Sequence, residues 1–185
     1  MRMPRVWMLL SFAAIAALAQ GPKYGVGRPA TPAEIKALDI SIAPDGKGLP
    51  PGSGNAVQGK DVFARRCQKC HGEGGLGGDE PPLVGGKGTL TSAKPLKTVG
   101  SYWPFATTLF DYINRAMPFK EPGLLTHDQV YAVSAYILNA NGIIGETDVM
   151  DAKTLLQVRM PNRDGFIPDA RPDVGPKARK QATAR

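Results

Sequence analysis

The chain has 185 residues, with 22 glycines, 17 prolines, two cysteines and a formal net charge of +7. This composition predicts one domain with a modest core and long irregular stretches, and it excludes a disulfide framework. Five basic and two acidic residues lie from Pro168 onward. Much of the basic excess is therefore interpreted as a disordered, solvated tail over residues 169–185, and nucleic acid is not an expected partner.

Residues 1–19 have the pattern of a secretory signal peptide. Arg2 and Arg5 precede an apolar run from Val6 to Ala19, and the run ends in the small residues of a cleavage site, so Gln20 is predicted to begin the mature chain. The run of about fourteen residues is shorter than the roughly twenty needed to span a bilayer. We expect a periplasmic protein without stable membrane insertion, with an uncleaved anchor as the alternative.

Residues 20–54 form an arm with few apolar side chains. Thr31 and Glu34 have the spacing of a capping box, which predicts a short helix from Pro32 to about Leu38. Residues 40–54 are dense in turn formers but keep several apolar residues. An arm of this kind needs a surface to lie on, which is either the rest of the chain or a partner protein.

Residues 55–142 carry three segments with apolar residues at helical spacing. The first runs from Asn55 to about Lys69, the second from Phe105 to about Arg115, and the third from the capping residue Thr126 to about Asn139. The sequence therefore predicts an all-α domain of three core helices. A C-terminal extension follows over residues 143–168.

A C-x-x-C-H sequence formed by Cys67, Cys70 and His71 lies at the end of the first predicted helix. This is the attachment motif of a c-type haem, in which both thiols bind the haem covalently and the histidine binds the iron. A disulfide or a thioredoxin-like redox pair is the alternative, but neither explains His71. Adjacent Cys70 and His71 could hardly share one tetrahedral zinc ion. Because the motif uses both cysteines, one covalently bound haem is predicted.

A low-spin electron-transfer haem takes a second axial ligand, either methionine or histidine. The candidates are Met117, Met150, Met160 and His127. Met117 follows a predicted helix and precedes a proline, so it lies on an irregular segment that can reach the distal haem face. His127 begins a helix, where an exposed histidine is ordinary, and the other two methionines follow the last core helix. We therefore prefer Met117, and we expect one-electron transfer rather than catalysis at the iron.

The order of helix, haem motif, glycine-rich loop, second helix, methionine loop and last helix resembles a class I cytochrome c. The resemblance implies that a proline carbonyl accepts a hydrogen bond from His71, with Pro82 preferred over Pro81. It also implies that Tyr102 and Trp103 lie near a haem propionate, although core packing is an equal alternative for both aromatic residues.

The same resemblance implies a contact between the first and last helices. Gly59 and Phe63 of the first helix correspond to the family's glycine and aromatic positions, and Tyr136 or Tyr131 supplies the aromatic residue of the last helix.

Six stretches resemble, more closely, the cytochrome subunits of sulfur-oxidising molybdenum dehydrogenases, and among them the single-haem form of the SoxD type. They are residues 24–32, 48–54, 81–86, 99–104, 115–119 and 160–162. The resemblance implies a periplasmic complex in which a SoxC-like molybdopterin subunit oxidises sulfane sulfur or sulfite. The cytochrome would pass electrons singly to a downstream cytochrome or oxidase. The resemblance also implies that residues 22–54 and 143–168 dock on the molybdenum subunit.

Three other functions stay open from the sequence. The chain could be a free-standing soluble cytochrome c that carries electrons between respiratory complexes. It could also be a haem peroxidase or a similar enzyme, or a disulfide protein without haem.

Overall fold

The computed structural model describes residues 25–167 and residue 169. The predicted signal peptide over residues 1–19 lies outside this part of the chain, as does nearly all of the predicted tail over residues 169–185. Within the described residues, no helix is long and apolar enough to cross a membrane. The chain divides into two compact units between Asp39 and Ile40.

The first unit contains helix α1, Pro32–Leu38, and confirms the predicted capping box. The Glu34 N–H donates to the Thr31 hydroxyl (3.3 Å), and the Glu34 carboxylate accepts the Thr31 N–H (2.8 Å). Arg28 donates to the same carboxylate (2.8 Å) and, together with Thr31, lowers the pKa of Glu34 to about 2. No residue of α1 is buried, so this helix leaves its apolar side chains exposed.

The described part of the second unit contains four further helices. They are α2, Ala56–Arg66; α3, Gln68–His71; α4, Ala106–Ala116; and α5, His127–Ala140. Asn55 and Thr126 provide the side-chain caps that begin α2 and α5. The first predicted helix is therefore divided at Cys67, whereas the second and third lie where the apolar spacing places them.

Helices α2 and α5 cross in direct contact at Gly59. A Cβ atom at this position would lie 1.9 Å from the Ala132 carbonyl oxygen, so only glycine permits the crossing. One turn further along α2, the ring of Phe63 packs on that of Tyr136, with centroids 4.9 Å apart. The helix contact that the family resemblance implied is present, and Tyr136 rather than Tyr131 makes it.

Residues 40–54 lie on the helices of their own unit. The Ile42 N–H donates to the buried carboxylate of Asp111 in α4 (2.8 Å), and the Tyr131 hydroxyl of α5 donates to the Pro50 carbonyl (2.9 Å). Burial raises the pKa of Tyr131 to about 12. The sequence left open whether this segment lies on the rest of the chain or on a partner protein. In the structure it lies on the chain's own helices.

The C-terminal extension also joins this unit. Strand β1, Ser53–Gly54, pairs antiparallel with β2, Met150–Asp151, so that Ser53 lies opposite Asp151. The extension contributes four side chains to the hydrophobic core, namely Met150, Leu155, Val158 and Met160. The predicted boundaries at residues 55 and 142 therefore fall inside a single compact unit, because three short helices need these apolar residues to complete their core.

Replacing Asp111 by asparagine is expected to lower the free energy of unfolding at neutral pH by about 1–2 kcal/mol. Arg115 donates two hydrogen bonds to the buried carboxylate (2.8 and 2.5 Å) and lowers its pKa. This stability is present above the unfolded pKa of about 3.9 and is lost as pH falls through the lower folded pKa. Denaturant unfolding across acidic and neutral pH measures both effects. Arg115 is half exposed, so screening limits the magnitude.

The exposed pair of Arg159 and Asp164 provides the control for that substitution. Its charged atoms are 3.2 Å apart, and both side chains are at least 80% exposed. Asp164→Asn should change the free energy of unfolding by less than about 0.5 kcal/mol. Equal losses from the two aspartate substitutions would contradict a stabilising role for the buried carboxylate.

Replacing Ser134 by alanine is expected to raise the free energy of unfolding by about 1 kcal/mol. The Ser134 hydroxyl is fully buried in α5 and has no hydrogen-bond partner in the structure. Ser101 is the matched control, since its buried hydroxyl donates to the Leu96 carbonyl (2.6 Å) and accepts the Thr98 N–H (2.9 Å). Ser101→Ala should therefore destabilise the protein, and thermal or denaturant unfolding should show opposite signs for the two variants.

Candidate functional site

The C-x-x-C-H motif forms its own helical turn after a break at Cys67. The φ and ψ angles of Cys67 are −120° and −38°, which end α2, and the N–H groups of Cys70 and His71 both donate to the Cys67 carbonyl (3.2 and 3.0 Å). Helix α2 thus ends at Arg66, three residues before the predicted end at Lys69, and the motif continues as α3. This short turn holds both thiols and the imidazole within five consecutive residues.

Both cysteines are free thiols, with Cys67 half-buried and Cys70 exposed. Burial and the neighbouring Cys70 raise the pKa of Cys67 to about 11. A thioredoxin-like pair instead lowers the pKa of its nucleophilic thiol, because the thiolate is the reactive form. The structure therefore gives no support to a disulfide or to a redox pair at this motif.

The Pro81 carbonyl lies beside the His71 ring, with Nδ1 and the carbonyl oxygen 3.3 Å apart. A carbonyl only accepts hydrogen bonds, so Nδ1 carries the proton and Nε2 keeps its lone pair for a metal. This contact corrects the preference for Pro82. The Pro82 ring instead packs beside Gly77, and the next residue, Leu83, donates its N–H to the Gly75 carbonyl (2.8 Å).

Met117 lies at the C-terminal end of α4 in an extended conformation, with φ −122° and ψ 149°. Its side chain is half-buried and packs against the edge of the hydrophobic core. Met150 and Met160 are 4% and 1% exposed and belong to that core, whereas His127 is exposed at the first residue of α5. Of the four candidate ligands, Met117 alone combines partial burial with an irregular backbone.

Tyr102 and Trp103 are both half-buried and have aromatic partners. The Tyr102 ring lies 5.2 Å from that of Phe166, and the Trp103 ring lies 5.8 Å from that of Tyr112 in an edge-on arrangement. Trp103, Met117 and Cys67 border the same hydrophobic core. Phe166 and Tyr112 are both about half exposed, so these ring contacts lie at the protein surface, and a role of either Tyr102 or Trp103 at a haem propionate stays a prediction.

The donor set fits a c-type haem. Two cysteine side chains that form no disulfide can attach the haem covalently, and the imidazole of His71 has its Nε2 available for the iron. A thioether borders the same apolar core. Two large apolar side chains that closely follow His71 and Met117 in the sequence are exposed: Leu76 is 69% exposed and Phe119 is 74% exposed. The thiol, imidazole and thioether groups and the exposed apolar side chains are therefore those that a covalently bound haem would use.

Sequence reasoning missed Asn141 as a site-supporting residue. It lies at the end of α5 and bonds the loop that follows the haem motif, whose Leu83 carbonyl accepts from its amide (3.2 Å). In the sequence, Asn141 and Gly142 give only a helix-stop signal. The contact joins residues far apart in the chain, so the sequence contains no local signal for it.

Comparison with known proteins agrees with the fold and the site. A family model described as cytochrome c oxidase, cbb3-type, subunit III matches residues 54–137. A chain of the sulfane dehydrogenase SoxCD from Paracoccus pantotrophus is similar in structure, with a TM-score of 0.74 and 45% sequence identity. The similarity covers 80% of this chain and 74% of that chain. No curated protein sequence matches.

The helices, the haem motif and the methionine loop define an all-α class I cytochrome c, as the sequence predicted. Within that class, the chain belongs to the family of SoxD-type cytochromes. Membership implies a haem c and an electron-transfer domain.

Proposed function

We propose that the chain is a mono-haem cytochrome c in which Cys67 and Cys70 hold the haem covalently and His71 and Met117 bind the iron. The observation that carries the proposal is the contact between His71 Nδ1 and the Pro81 carbonyl, which leaves Nε2 free for the metal. No disulfide joins the two cysteines, and they precede this histidine by one and four residues. The chain has only these two cysteines, so it holds one haem.

Met117 is the best second ligand because of how the alternatives are buried. Met150 and Met160 pack inside the core, and moving either to the iron would open a cavity. Met117 borders the core from an extended segment, so its thioether is free of such a cost. The bound haem supplies one-electron redox chemistry, and a thioether ligand favours its ferrous form.

If His71 and Met117 both bind the iron, protein side chains would occupy the two coordination positions that the porphyrin leaves. A peroxidase or an oxygen-activating enzyme needs one of these positions open for its substrate. With both positions held by protein side chains, the chain transfers electrons and is not catalytic by itself.

The electron donor we propose is a molybdopterin-containing subunit that oxidises sulfane sulfur or sulfite in the periplasm. The similarity to a chain of the sulfane dehydrogenase SoxCD, at 45% identity over 80% of this chain, supports this partner. The cytochrome then passes each electron to a downstream cytochrome or oxidase of the respiratory chain.

A free-standing electron shuttle is the second candidate function. One observation favours it: most apolar residues of segments 40–54 and 143–160 pack in or against this chain's own core, so few of them are left for a partner. The exposed helix α1 favours the subunit, since none of its residues is buried. We therefore propose that the docking segment lies in residues 25–39.

Tyr102 and Trp103 remain proposed neighbours of a haem propionate.

Purification of the full-length protein from the periplasm of its host distinguishes the two functions. A subunit should elute as one particle that contains both haem iron and molybdenum. A shuttle should elute as a haem protein of its own mass, without molybdenum. Deletion of residues 25–39 should release the cytochrome from the particle, and unchanged association after the deletion would reject this segment as the docking site.

A further inference from the structure

The side chain of Asn141 makes three hydrogen bonds, two of them to the loop that carries Pro81. Its Nδ2 donates to the carbonyls of Leu83 (3.2 Å) and Ile137 (2.9 Å), and its Oδ1 accepts the Gly85 N–H (3.0 Å). Both polar atoms of the amide are therefore engaged, which fixes its orientation. The end of α5 is tied to residues 83–85 through this one side chain.

A second segment closes on the same loop from residues 98–101. The Val99 N–H also donates to the Leu83 carbonyl (3.3 Å), and the Thr98 hydroxyl donates to the Gly85 carbonyl (2.6 Å). A Cβ atom at Gly100 would lie 2.0 Å from the Asn141 Oδ1, so glycine leaves the space that the amide occupies. The Asn141 amide is thus enclosed as well as hydrogen-bonded.

The position of this loop determines where the Pro81 carbonyl lies relative to His71. Pro81 and Pro82 have no N–H group, so the loop cannot fix its own position through them. Hydrogen bonds on either side hold it, from the Glu80 N–H to the Cys70 carbonyl (2.9 Å) and from the Leu83 N–H to the Gly75 carbonyl (2.8 Å). The position of the Pro81 carbonyl therefore depends on how firmly residues 83–85 are held.

We propose that Asn141 is a positioning residue for the haem iron's histidine ligand. By holding residues 83–85, it keeps the Pro81 carbonyl where the His71 Nδ1–H can donate to it. A hydrogen bond at Nδ1 makes Nε2 a stronger donor to a bound metal, which stabilises Fe(III) and lowers the reduction potential. The inference rests on the proposed function, in which His71 binds the iron.

The test uses the full-length holo-protein with Asn141→Leu, a neutral change of similar volume that removes all three hydrogen bonds. We expect the reduction potential to rise and the haem to stay six-coordinate and low-spin. Exchange of the His71 Nδ1 proton with solvent, followed by NMR, should become about fivefold faster, as the loss of one hydrogen bond predicts. Gly100→Ala, which displaces the amide without removing it, should shift the potential in the same direction.

Asn139→Leu is the matched control. Asn139 lies in the same last turn of α5, and its Nδ2 donates to the Ile144 carbonyl (3.0 Å), away from the Pro81 loop. This variant should keep the wild-type potential even if it is less stable. An equal shift in the control would show that fraying of the helix end is the cause, and would overturn the role of Asn141.

A wild-type potential in Asn141→Leu would also overturn the inference. If Asn141→Leu does not fold, Gly100→Ala decides: a raised potential supports the role, and an unchanged potential rejects it. A wild-type protein without haem would overturn the proposed function itself. A wild-type protein with haem whose variants keep its potential would overturn only the inference, so the two failures are distinguishable.

Discussion

Replacing Met117 by alanine is expected to abolish the methionine-to-iron charge-transfer band of the oxidised protein and to lower its reduction potential. The thioether stabilises Fe(II), and its loss removes that preference. Axial ligands set haem potentials over a range of roughly 0.8 V, so we expect the change to be a substantial part of it. The vacated position should also bind carbon monoxide, which the wild-type protein should bind poorly. Visible spectroscopy and a redox titration measure these effects.

Met150→Leu and Met160→Leu are the matched controls for Met117→Ala. Both methionines are buried in the core, where leucine has a similar volume and should cost less than about 1.5 kcal/mol. Each control should keep the charge-transfer band and the potential. Survival of the band in Met117→Ala would reject Met117 as the ligand, and its loss in one of the controls would assign the ligand to that residue.

Replacing Gly59 by alanine should destabilise the holo-protein by about 3 kcal/mol or more, near the upper end of overpacking effects. The new methyl group would meet the Ala132 carbonyl oxygen at 1.9 Å, and this is backbone that cannot rotate away. Helix propensity alone predicts the opposite sign, since alanine is favoured over glycine inside a helix by about 1 kcal/mol. Denaturant unfolding of the wild-type and Gly59→Ala proteins therefore shows whether the close contact between α2 and α5 or the helix propensity of alanine determines the change in stability.

Gly145→Ala is the control for this substitution. The atoms nearest to a Cβ at Gly145 belong to the Asp148 carboxylate, at 3.1 Å or more, and a side chain can move where backbone cannot. The expected change in the free energy of unfolding is within about 0.5 kcal/mol. If Gly59→Ala proved as mild as this control, the close crossing of α2 and α5 would not stabilise the fold.

The local features of the fold could be predicted from the sequence. Capping boxes and apolar spacing depend on residues three or four apart, so Thr31 and Thr126 marked the starts of α1 and α5. The haem motif is local as well, because its three chemical groups lie within five residues. The contact of Gly59 with the last helix followed from the family resemblance rather than from spacing.

The contacts that join distant segments could not be predicted. Pro81 and Pro82 are adjacent and chemically alike, and only the path of the loop decides which carbonyl reaches His71. The burial of Ile42 and Met150 depends on the core formed by the helices, so their segments could equally have been assigned to a partner's surface. Asn141 had the pattern of a helix end, and its bonds to Leu83 and Gly85 exist only after folding.

The burial of residues from segments 40–54 and 143–160 limits the proposed interface with a partner to residues 25–39. Segments 40–54 and 143–160 complete the cytochrome core, so removing either should unfold the domain rather than only release it. Residues 25–39 are the described part of the first unit, and the capped helix there has no buried residue. Deletion of residues 25–39 is therefore the selective test of docking, because none of these residues belongs to the hydrophobic core or to the Pro81 loop.

The reduction of the haem by a sulfur substrate tests the central claim most directly. The complex purified from the periplasm is mixed with sulfite or a sulfane-sulfur compound, and the haem absorbance is followed by stopped flow. We expect the haem to become reduced in the complex and to stay oxidised when the cytochrome is mixed with the substrate alone. A haem that stays oxidised in the complex, while the molybdenum subunit oxidises the same substrate with an artificial acceptor, would contradict the proposed electron transfer.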